Sequence, residues 1–398
     1  MNSKKITALI LCVVFLFLLV IGCNSGSVAD PDDSNGNEPN GDTPSEPIAI
    51  PDNFTEFFRQ LMNEMSEDFG GLMSYPNGYL FQRADMVSEF SDATAALEIG
   101  EMSGIVETTY GYHIILRIPI NYDVVPSGFS REGRSQTLRQ AAAISDFERL
   151  QEEWGNSLNV EYTPEYHLID LEAIFVWLDE DCDDDDDDHN HSHASIDFAA
   201  AISAFPPDTV MIRAGDMIVT WAELYVFLLG TTTSIMMYSI GEHFDWSEGF
   251  DTYTSVAEAV LDYSTEEVLS FLTFEYGFTS LNIQLDDDER KEIDANIDSL
   301  IEMFGGEEEF SNALRNENGF YSLDVFKKFY HIEFLVGKLL YELYGEGAND
   351  FPDDKVAEYA SENDFMMAMH ILRLKSDDTD GDPKSEAEDI LRQLHEHR

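Results

Sequence analysis

Basic residues are scarce in this chain. Its 398 residues include 22 Lys and Arg against 79 Asp and Glu, which gives a formal net charge of -57 at pH 7. A surface this negative repels nucleic acid, phosphorylated substrates and anionic lipid head groups. The composition therefore argues against these partners and predicts that the protein binds no nucleic acid.

Cysteine is scarce as well, with three residues in the whole chain. Cys12 lies in an apolar N-terminal run, Cys23 follows that run after one glycine, and Cys182 stands alone in an acidic segment. Because Cys12 would leave with a signal peptide, one chain offers no disulfide framework. Apolar and aromatic contents of 43% and 12% are nevertheless those of a globular protein with room for two or three domains.

The N-terminus has the pattern of a targeting segment. Lys4 and Lys5 precede an apolar run over residues 6–21, which is short against the ~20 residues of a membrane-spanning helix. An uncleaved anchor helix is the alternative. The run ends in Val-Ile-Gly-Cys, which resembles a bacterial lipobox, so we expect a signal peptide over 1–22 and acylation of Cys23. The lipid would hold the protein on the extracytoplasmic face of the bacterial membrane.

Residues 23–50 are rich in Asp, Asn, Gly, Pro and Ser, and such a composition predicts a disordered tether. A helix follows, with Asn53 as a candidate N-cap. Six apolar residues lie on one helical face, namely Phe54, Phe57, Phe58, Leu61, Met62 and Met65. The Gly- and Pro-rich stretch Gly70–Gly78 predicts a loop. A short helix over Ser88–Leu97 and a β-ribbon over Gly104–Ile118 are expected next.

The middle of the chain alternates between structured and low-complexity patterns. Residues 136–154 predict an amphipathic helix and residues 160–177 an extended segment. Residues 179–195 are rich in Asp and His and predict an exposed linker. Carboxylates and imidazoles can bind cations, but flexible runs of like charge usually do so diffusely. We therefore predict no metal site and no cofactor.

From Ile196 onward the pattern is mostly helical. Residues 210–221 predict a β-hairpin that turns at Gly215-Asp216, and Thr220 is a candidate cap for a helix that continues to Leu229. Further helices are predicted, with breaks at Gly277, Gly305-Gly306 and Gly345; they cover Val256–Glu275, Asp288–Met303, Glu307–Leu314 and Leu323–Leu343.

One segment carries a family resemblance. Residues 100–117 read GEMSGIVETTYGYHIILR and resemble the C-terminal end of a parvulin-type peptidyl-prolyl isomerase domain. The upstream residues that match the same family in order are Ser66-Glu67-Asp68, Gly70-Gly71, Met86-Val87 and Glu89-Phe90. The front of that domain, a strand ending in His-Ile-Leu and a short helix, is found instead at 369–372 and 384–391.

The resemblance therefore implies a circularly permuted domain. Its first strand and helix would be residues 364–398 and its main part 51–121, followed by a returning helix and extended segment over 122–178. Residues 196–363 resemble the helical chaperone domain of PrsA-like and SurA-like foldases. The implied fold class is α+β, with a small antiparallel sheet flanked by helices plus a mostly helical domain.

In the family the first and last strands are neighbours, which here are Phe365–Leu374 and Tyr112–Ile118. We expect them to pair within one chain. Domain swapping between chains is an alternative, and a rearranged gene whose halves never meet is another. Chain breaks in exposed loops between elements are where permutation is best tolerated.

The resemblance also implies the site residues. The hydrogen-bond network of the family would comprise His113, His370, Asp68 and Thr108, and the proline pocket Met86, Phe90 and Phe81. A purely structural interpretation stands beside each of these assignments, since a histidine on a strand is often structural and Met86 and Phe90 could be core residues. The loop after the first strand, residues 376–382, is acidic and predicts no preference for phosphorylated substrates.

The function expected from the resemblance is that of a membrane-anchored foldase with isomerase activity. Its partners would be unfolded or partly folded secreted proteins with Xaa-Pro bonds. A holdase that binds unfolded chains through the helical domain, without catalysis, is the alternative of a different class. Isomerisation needs neither a nucleophile nor a cofactor, because only rotation about the peptide C–N bond is accelerated.

Overall fold

The structure is a computed structural model that describes residues 52–127, 130–131, 134–180, 193–238, 245–375 and 382–398. Within these residues the chain divides into two compact units. The sheet unit comprises residues 52–146 together with 344–398, and the helical unit comprises residues 147–343. The signal peptide, the tether with Cys23, most of the acidic linker and residues 376–381 lie outside the described residues.

The strands are short apart from two. In chain order they are β1 Tyr79–Gln82, β2 Val106–Glu107, β3 Gly111–Ile118, β4 Ser130–Arg131, β5 Arg134–Ser135, β6 Val160–Tyr162, β7 Trp177–Glu180, β8 His193–Ile196, β9 Val210–Ala214, β10 Met217–Thr220 and β11 Phe365–Leu374.

Helices make up most of the remaining structure. In chain order they are α1 Asp52–Met65, α2 Phe69–Ser74, α3 Ser88–Ala96, α4 Leu138–Ser157, α5 Leu171–Ile174, α6 Phe198–Ala201, α7 Trp221–Tyr238, α8 Val256–Leu281, α9 Asp287–Phe304, α10 Glu307–Asn318, α11 Leu323–Tyr344, α12 Asp353–Glu362 and α13 Pro383–His397. The α+β class expected from the sequence is confirmed.

The sheet unit is built on a four-stranded antiparallel sheet in the order β1-β11-β3-β2. Strand β11, from the end of the chain, lies in the middle and pairs with β3 from Met367↔Ile118 to Leu374↔Gly111. On its other side it pairs with β1 from Tyr79↔Ala368 to Gln82↔Phe365. The expected pairing within one chain is confirmed, and halves that never meet are excluded.

Burial explains why β11 occupies the centre. Eight of its residues, from Phe365 to Leu372, are buried, as a strand covered on both faces requires. One face packs on α3 through a cluster that includes Phe81, Phe90, Ile115 and Ala368. Helices α1 and α13 also contact β11. The sheet has no solvent-facing side at its centre, so polar groups there need internal partners.

Two local predictions in this unit are wrong. Asn53 does not cap α1, because the helix already includes Asp52, and an acidic first residue suits the positive end of the helix dipole. The predicted loop Gly70–Gly78 contains α2 instead. The Asp68 side chain accepts a hydrogen bond from the Gly71 N–H, and this cap stabilises a turn of helix despite two glycines.

The helical unit packs α7, α8, α9, α10 and α11 around one apolar core. The predicted hairpin of β9 and β10 is present, and β6 pairs with β9. Trp221, the first residue of α7, is fully buried and donates its indole N–H to the Ile202 carbonyl at 2.9 Å. Helix α7 continues past the predicted end at Leu229 to Tyr238, and its last turns pack Ile235 into the apolar core.

Two other predictions fail in the helical unit. The segment 160–177 is extended over β6 and again at Trp177, where β7 begins. Between them lie a 3-10 helix, Tyr166–Leu168, and α5, which Asp170 caps by accepting from the Ala173 N–H at 3.2 Å. Gly277 does not break a helix but lies inside α8. A Cβ there would meet the Trp154 ring at 2.7 Å, so the glycine permits close packing. Across the described ranges, no helix combines the length and apolarity needed to cross a membrane.

Candidate functional site

Four polar side chains form one continuous chain of contacts in the sheet unit. Asp68 Oδ2 lies 2.9 Å from His370 Nε2, and His370 Nδ1 lies 3.1 Å from His113 Nδ1. His113 Nε2 in turn lies 2.8 Å from Thr108 Oγ1. The structure thus brings together all four residues that the resemblance implied for the network, from both ends of the polypeptide.

Antiparallel register places the two histidines side by side. His370 is opposite Ile115 and His113 is opposite Leu372, so the imidazoles are diagonal neighbours on one face of adjacent strands. The rings are stacked with 5.3 Å between centroids and 14° between planes. Thr108 lies in the turn between β2 and β3, where its backbone N–H bonds to the Gly111 carbonyl at 2.9 Å.

The direction of each hydrogen bond follows from the carboxylate. Ionised Asp68 only accepts, so His370 donates its Nε2–H, and a neutral His370 then accepts at Nδ1. His113 consequently donates from Nδ1 and accepts the Thr108 hydroxyl proton at Nε2. Thr108 Oγ1 accepts from the Tyr110 N–H at 3.1 Å. With both imidazoles neutral, every hydrogen bond in the network has one donor and one acceptor.

Burial and hydrogen bonding set the charges in the network. His113 is 4% exposed, and desolvation, with a smaller effect of His370, lowers the pKa of its imidazole to about 3. The hydrogen bond from His370 lowers the pKa of Asp68 well below its usual range, and bonds from Tyr79 and the Gly71 N–H act in the same direction. At neutral pH the site therefore holds a carboxylate at one end and a neutral His113 in its interior.

An aromatic wall borders the histidines. The Phe90 ring lies edge-on to His113 and His370, with centroid distances of 5.4 and 5.2 Å. Phe81 has no exposed surface and packs behind Phe90, 5.7 Å between centroids. Met86 is partly buried, lies against the same cluster and lines an open cleft. Of these three residues, Met86 has exposed surface at the cleft, whereas Phe90 and Phe81 are buried.

Sequence reasoning missed two residues that hold Asp68 in place. Tyr79 donates its hydroxyl to Asp68 Oδ2 at 2.6 Å, and burial together with this carboxylate raises the pKa of the phenol. Gly71 is needed because a Cβ there would lie 2.0 Å from the Tyr79 hydroxyl oxygen. The signal for Tyr79 was strand alternation, since Tyr79 and Phe81 point to the same face.

No group of three or more His, Cys, Asp or Glu residues with metal-binding geometry occurs in the described part of the chain. The network offers hydrogen bonding next to an apolar wall, and both of its histidines are buried.

Comparison with known protein families gives a match for the part of the chain that contains most of this site. Residues 48–118 match the family of PPIC-type PPIase (rotamase) domains. The chain contains a parvulin-type peptidyl-prolyl isomerase domain. The matched residues include Asp68, Thr108 and His113 as well as all three residues predicted for the proline pocket, whereas His370 lies outside the match and joins through β11.

Individual relatives agree with this assignment. A protein named Foldase protein PrsA from Halalkalibacterium halodurans is 44% identical over 59 residues, which is 15% of this chain and 18% of that protein. A protein of the same name from Geobacillus kaustophilus is 42% identical over 60 residues, 15% of this chain and 21% of that protein. The isomerase domain is thus PrsA-like.

A relative with a different name also matches part of the chain. Peptidyl-prolyl cis-trans isomerase ssp-1 from Neurospora crassa is 56% identical over 41 residues, 10% of this chain and 22% of that protein. The chain thus spans about a fifth of the length of the curated relatives it matches. No solved structure gives a significant match.

Proposed function

We propose that this protein is a membrane-anchored foldase whose isomerase domain accelerates cis–trans isomerisation of Xaa-Pro bonds in secreted proteins. The observation that carries the proposal is the buried chain of contacts from Asp68 through His370 and His113 to Thr108, beside the Phe90 ring. Relatives that match this chain are named Foldase protein PrsA, and these names support a foldase function for the matched region.

The reaction has a barrier because the amide C–N bond is partly double. Rotation must break that resonance, at a cost of about 18–20 kcal/mol in water. The planar amide is charge-separated and well solvated, whereas the twisted amide is less polar. A site that replaces water by an apolar, uncharged environment therefore favours the twisted form relative to the planar one.

The electrostatics of the site suit this task. A neutral His113, held so by burial, adds no full charge that would stabilise the planar carbonyl. The imidazoles keep their hydrogen bonds to each other, so no unsatisfied polar group faces the substrate. The strengths of the hydrogen bonds in the network would change as the amide twists, and this change would give differential stabilisation of the twisted state.

Binding of the proline ring falls to the apolar side chains. Met86 lies at the open cleft and shares an apolar cluster with Phe90, whose ring contacts both histidines, so we assign the proline ring to these two residues. We assign Phe81 the role of support behind Phe90, because it is fully buried.

The remaining assignments extend this proposal to the whole chain. Residues 364–398 would complete the isomerase domain of residues 51–121 in permuted order, as the central position of β11 supports. The helical region 196–363 would hold unfolded clients, and acylation of Cys23 would place the protein on the extracytoplasmic face of the membrane.

Turnover of an Ala-Pro test peptide by the purified protein tests the isomerase function. We expect His113→Ala and Met86→Ala to lower kcat/KM by at least about tenfold, which corresponds to about 1.4 kcal/mol of lost transition-state stabilisation. His395→Ala, an exposed histidine of α13, is the matched control and should leave kcat/KM unchanged. Suppression of client aggregation without any peptide turnover would favour a holdase instead.

The anchor is tested separately by fractionation. Cys23→Ser should move the protein from the membrane to the soluble fraction after expression in a bacterial host. Retention of this variant in the membrane would contradict the lipid anchor and leave the isomerase assignment intact.

A further inference from the structure

An open cleft of about 500 Å³ lies at the Met86 side of the isomerase domain. Met86 forms part of its wall and Ser91, which is almost fully buried, part of its floor. Because Met86 also belongs to the proposed proline pocket, a peptide whose proline lies there has a neighbouring residue within reach of the cleft. The cleft is therefore a candidate subsite for that neighbour.

The cleft forms where two distant parts of the chain meet. On one side is the 3-10 helix Arg83–Asp85, and on the other are Asn363 and Asp364, directly before β11. The Gln82 side-chain amide donates to the Asn363 carbonyl at 3.1 Å, and the Arg83 N–H donates to the Asp364 carbonyl at 3.3 Å. These bonds join the two sides, so the cleft has a defined shape.

Three charged side chains line this cleft: Arg83, Asp92 and Asp364. Arg83 Nη2 lies 2.5 Å from Asp92 Oδ1, and the two side chains are 51% and 60% exposed. An ion pair this exposed contributes little stability and can be exchanged for another partner at small cost. Asp364 has left-handed backbone geometry, with φ of 53°, and is exposed.

The balance of these charges is negative. Two carboxylates face one guanidinium, and that guanidinium is already paired with Asp92. A substrate ammonium or guanidinium group entering the cleft could pair with Asp364 and share Asp92. A substrate carboxylate would find both acids and only one arginine, which is itself occupied.

We propose that this cleft is a subsite for the residue next to the substrate proline and that it selects a basic side chain over an acidic one. This inference rests on the proposed isomerase function and adds the substrate class that the site prefers. Arg83 weakens this preference, because it competes with the basic side chain of the substrate for Asp92.

Five peptides that differ only beside the proline test the inference: one has Ala on both sides, and the other four have a single Lys or Glu either before or after the proline. For the full-length protein at low salt we expect kcat/KM for the better Lys peptide to exceed that for the matching Glu peptide by about three- to tenfold. In ~1 M salt the ratio should fall toward one, because exposed charge pairs are screened.

Variants separate the cleft from the overall charge of the chain. Combined Asp92→Asn and Asp364→Asn should bring the Lys-to-Glu ratio to one or below, since Arg83 is left without a carboxylate. Arg83→Gln should raise the ratio, because the competitor for Asp92 is gone. Asp389→Asn is the matched control, an acid in an exposed pair with Arg392 on α13, and it should keep the wild-type ratio.

Equal turnover of the five peptides by the wild-type protein would overturn the subsite while leaving the isomerase function standing. A ratio that stays at the wild-type value in the Asp92→Asn, Asp364→Asn variant would also overturn it and would assign the preference to the net charge of the chain. Absence of turnover with the Ala peptide would contradict the isomerase function, and this inference with it.

Discussion

His113 and His370 face each other through their Nδ1 atoms at 3.1 Å, although 257 positions separate them in the chain. The contact exists because β11 inserts between β1 and β3, so the end of the chain supplies the central strand of a sheet otherwise made from residues 79–118. Each imidazole has a second partner on its other side, Thr108 or Asp68. The network therefore links the two ends of the sheet unit through side chains, in addition to the backbone pairing of β11 with β3.

The first prediction concerns pH. His113 has a native pKa of about 3 against about 6.5 in an unfolded chain. Between these values the unfolded state binds a proton that the native state does not, so stability is full above pH 6.5 and falls as the pH drops. At pH 5 we expect a loss of roughly 2 kcal/mol relative to pH 7 from this group. Urea unfolding at both values measures it.

Controls for this experiment replace single histidines. His113→Asn should lose less stability between pH 7 and pH 5 than the wild type, while His395→Asn should lose as much as the wild type. The lowered pKa of Asp68 acts in the same direction, but only below about pH 4, where an unfolded aspartate takes up its proton. An NMR titration of His113 with a midpoint near pH 6.5 would contradict the prediction.

The second prediction concerns the two donors to Asp68 Oδ2. Tyr79 and His370 both hydrogen-bond this oxygen, at 2.6 and 2.9 Å. We expect Tyr79→Phe and His370→Gln each to reduce kcat/KM, and the double variant to lose less than the product of the two factors, with a coupling of about 0.5–3 kcal/mol. Tyr79→Phe combined with His395→Gln is the control and should be additive. Additivity in the first pair would show that Asp68 does not link them.

The third prediction compares two adjacent glycines of α2. A Cβ on Gly71 would lie 2.0 Å from the Tyr79 hydroxyl and 2.2 Å from Asp68 Oδ2, whereas Gly70 has nothing within 4 Å. Gly71→Ala should therefore cost about 1–3 kcal/mol of unfolding free energy and also lower kcat/KM. Gly70→Ala should be neutral or stabilise by up to ~1 kcal/mol. Equal effects in denaturant unfolding would refute the packing at Gly71.

The fourth prediction concerns Gly277 in the helical unit. A Cβ there would meet three atoms of the Trp154 ring, the nearest at 2.7 Å. Gly277→Ala should destabilise the protein by about 1–3 kcal/mol in thermal or urea unfolding, because the rigid indole cannot move aside freely. Gly337→Ala, inside α11 with nothing within 4 Å, is the control and should gain up to ~1 kcal/mol. If Gly277→Ala stabilised the protein instead, α4, which carries Trp154, and α8, which carries Gly277, would have to move apart without cost.

Local patterns in the sequence determined most elements of this protein. The apolar face of α1, the hairpin of β9 and β10, and the helices α9 to α11 follow from periods of 3.6 or two residues with turn residues at their ends. The motif around His113 and the His-Ile-Leu strand at His370 also pointed to a parvulin domain, because they recur at characteristic spacing within that family.

Tertiary structure decided the features that hydrophobic periodicity and helix propensity do not determine, namely two glycine-containing helices and the order of the strands. Glycines predicted a loop at 70–78 and a break at 277, but the cap by Asp68 and the packing of Trp154 made both helical, since a contact outside the segment outweighs a propensity of about 1 kcal/mol. The site itself required β11 to lie between β1 and β3. Strand order and register are set by long-range pairing and by which side chains become buried, and only folding of the whole chain brings Asp68, His370 and His113 within hydrogen-bond distance.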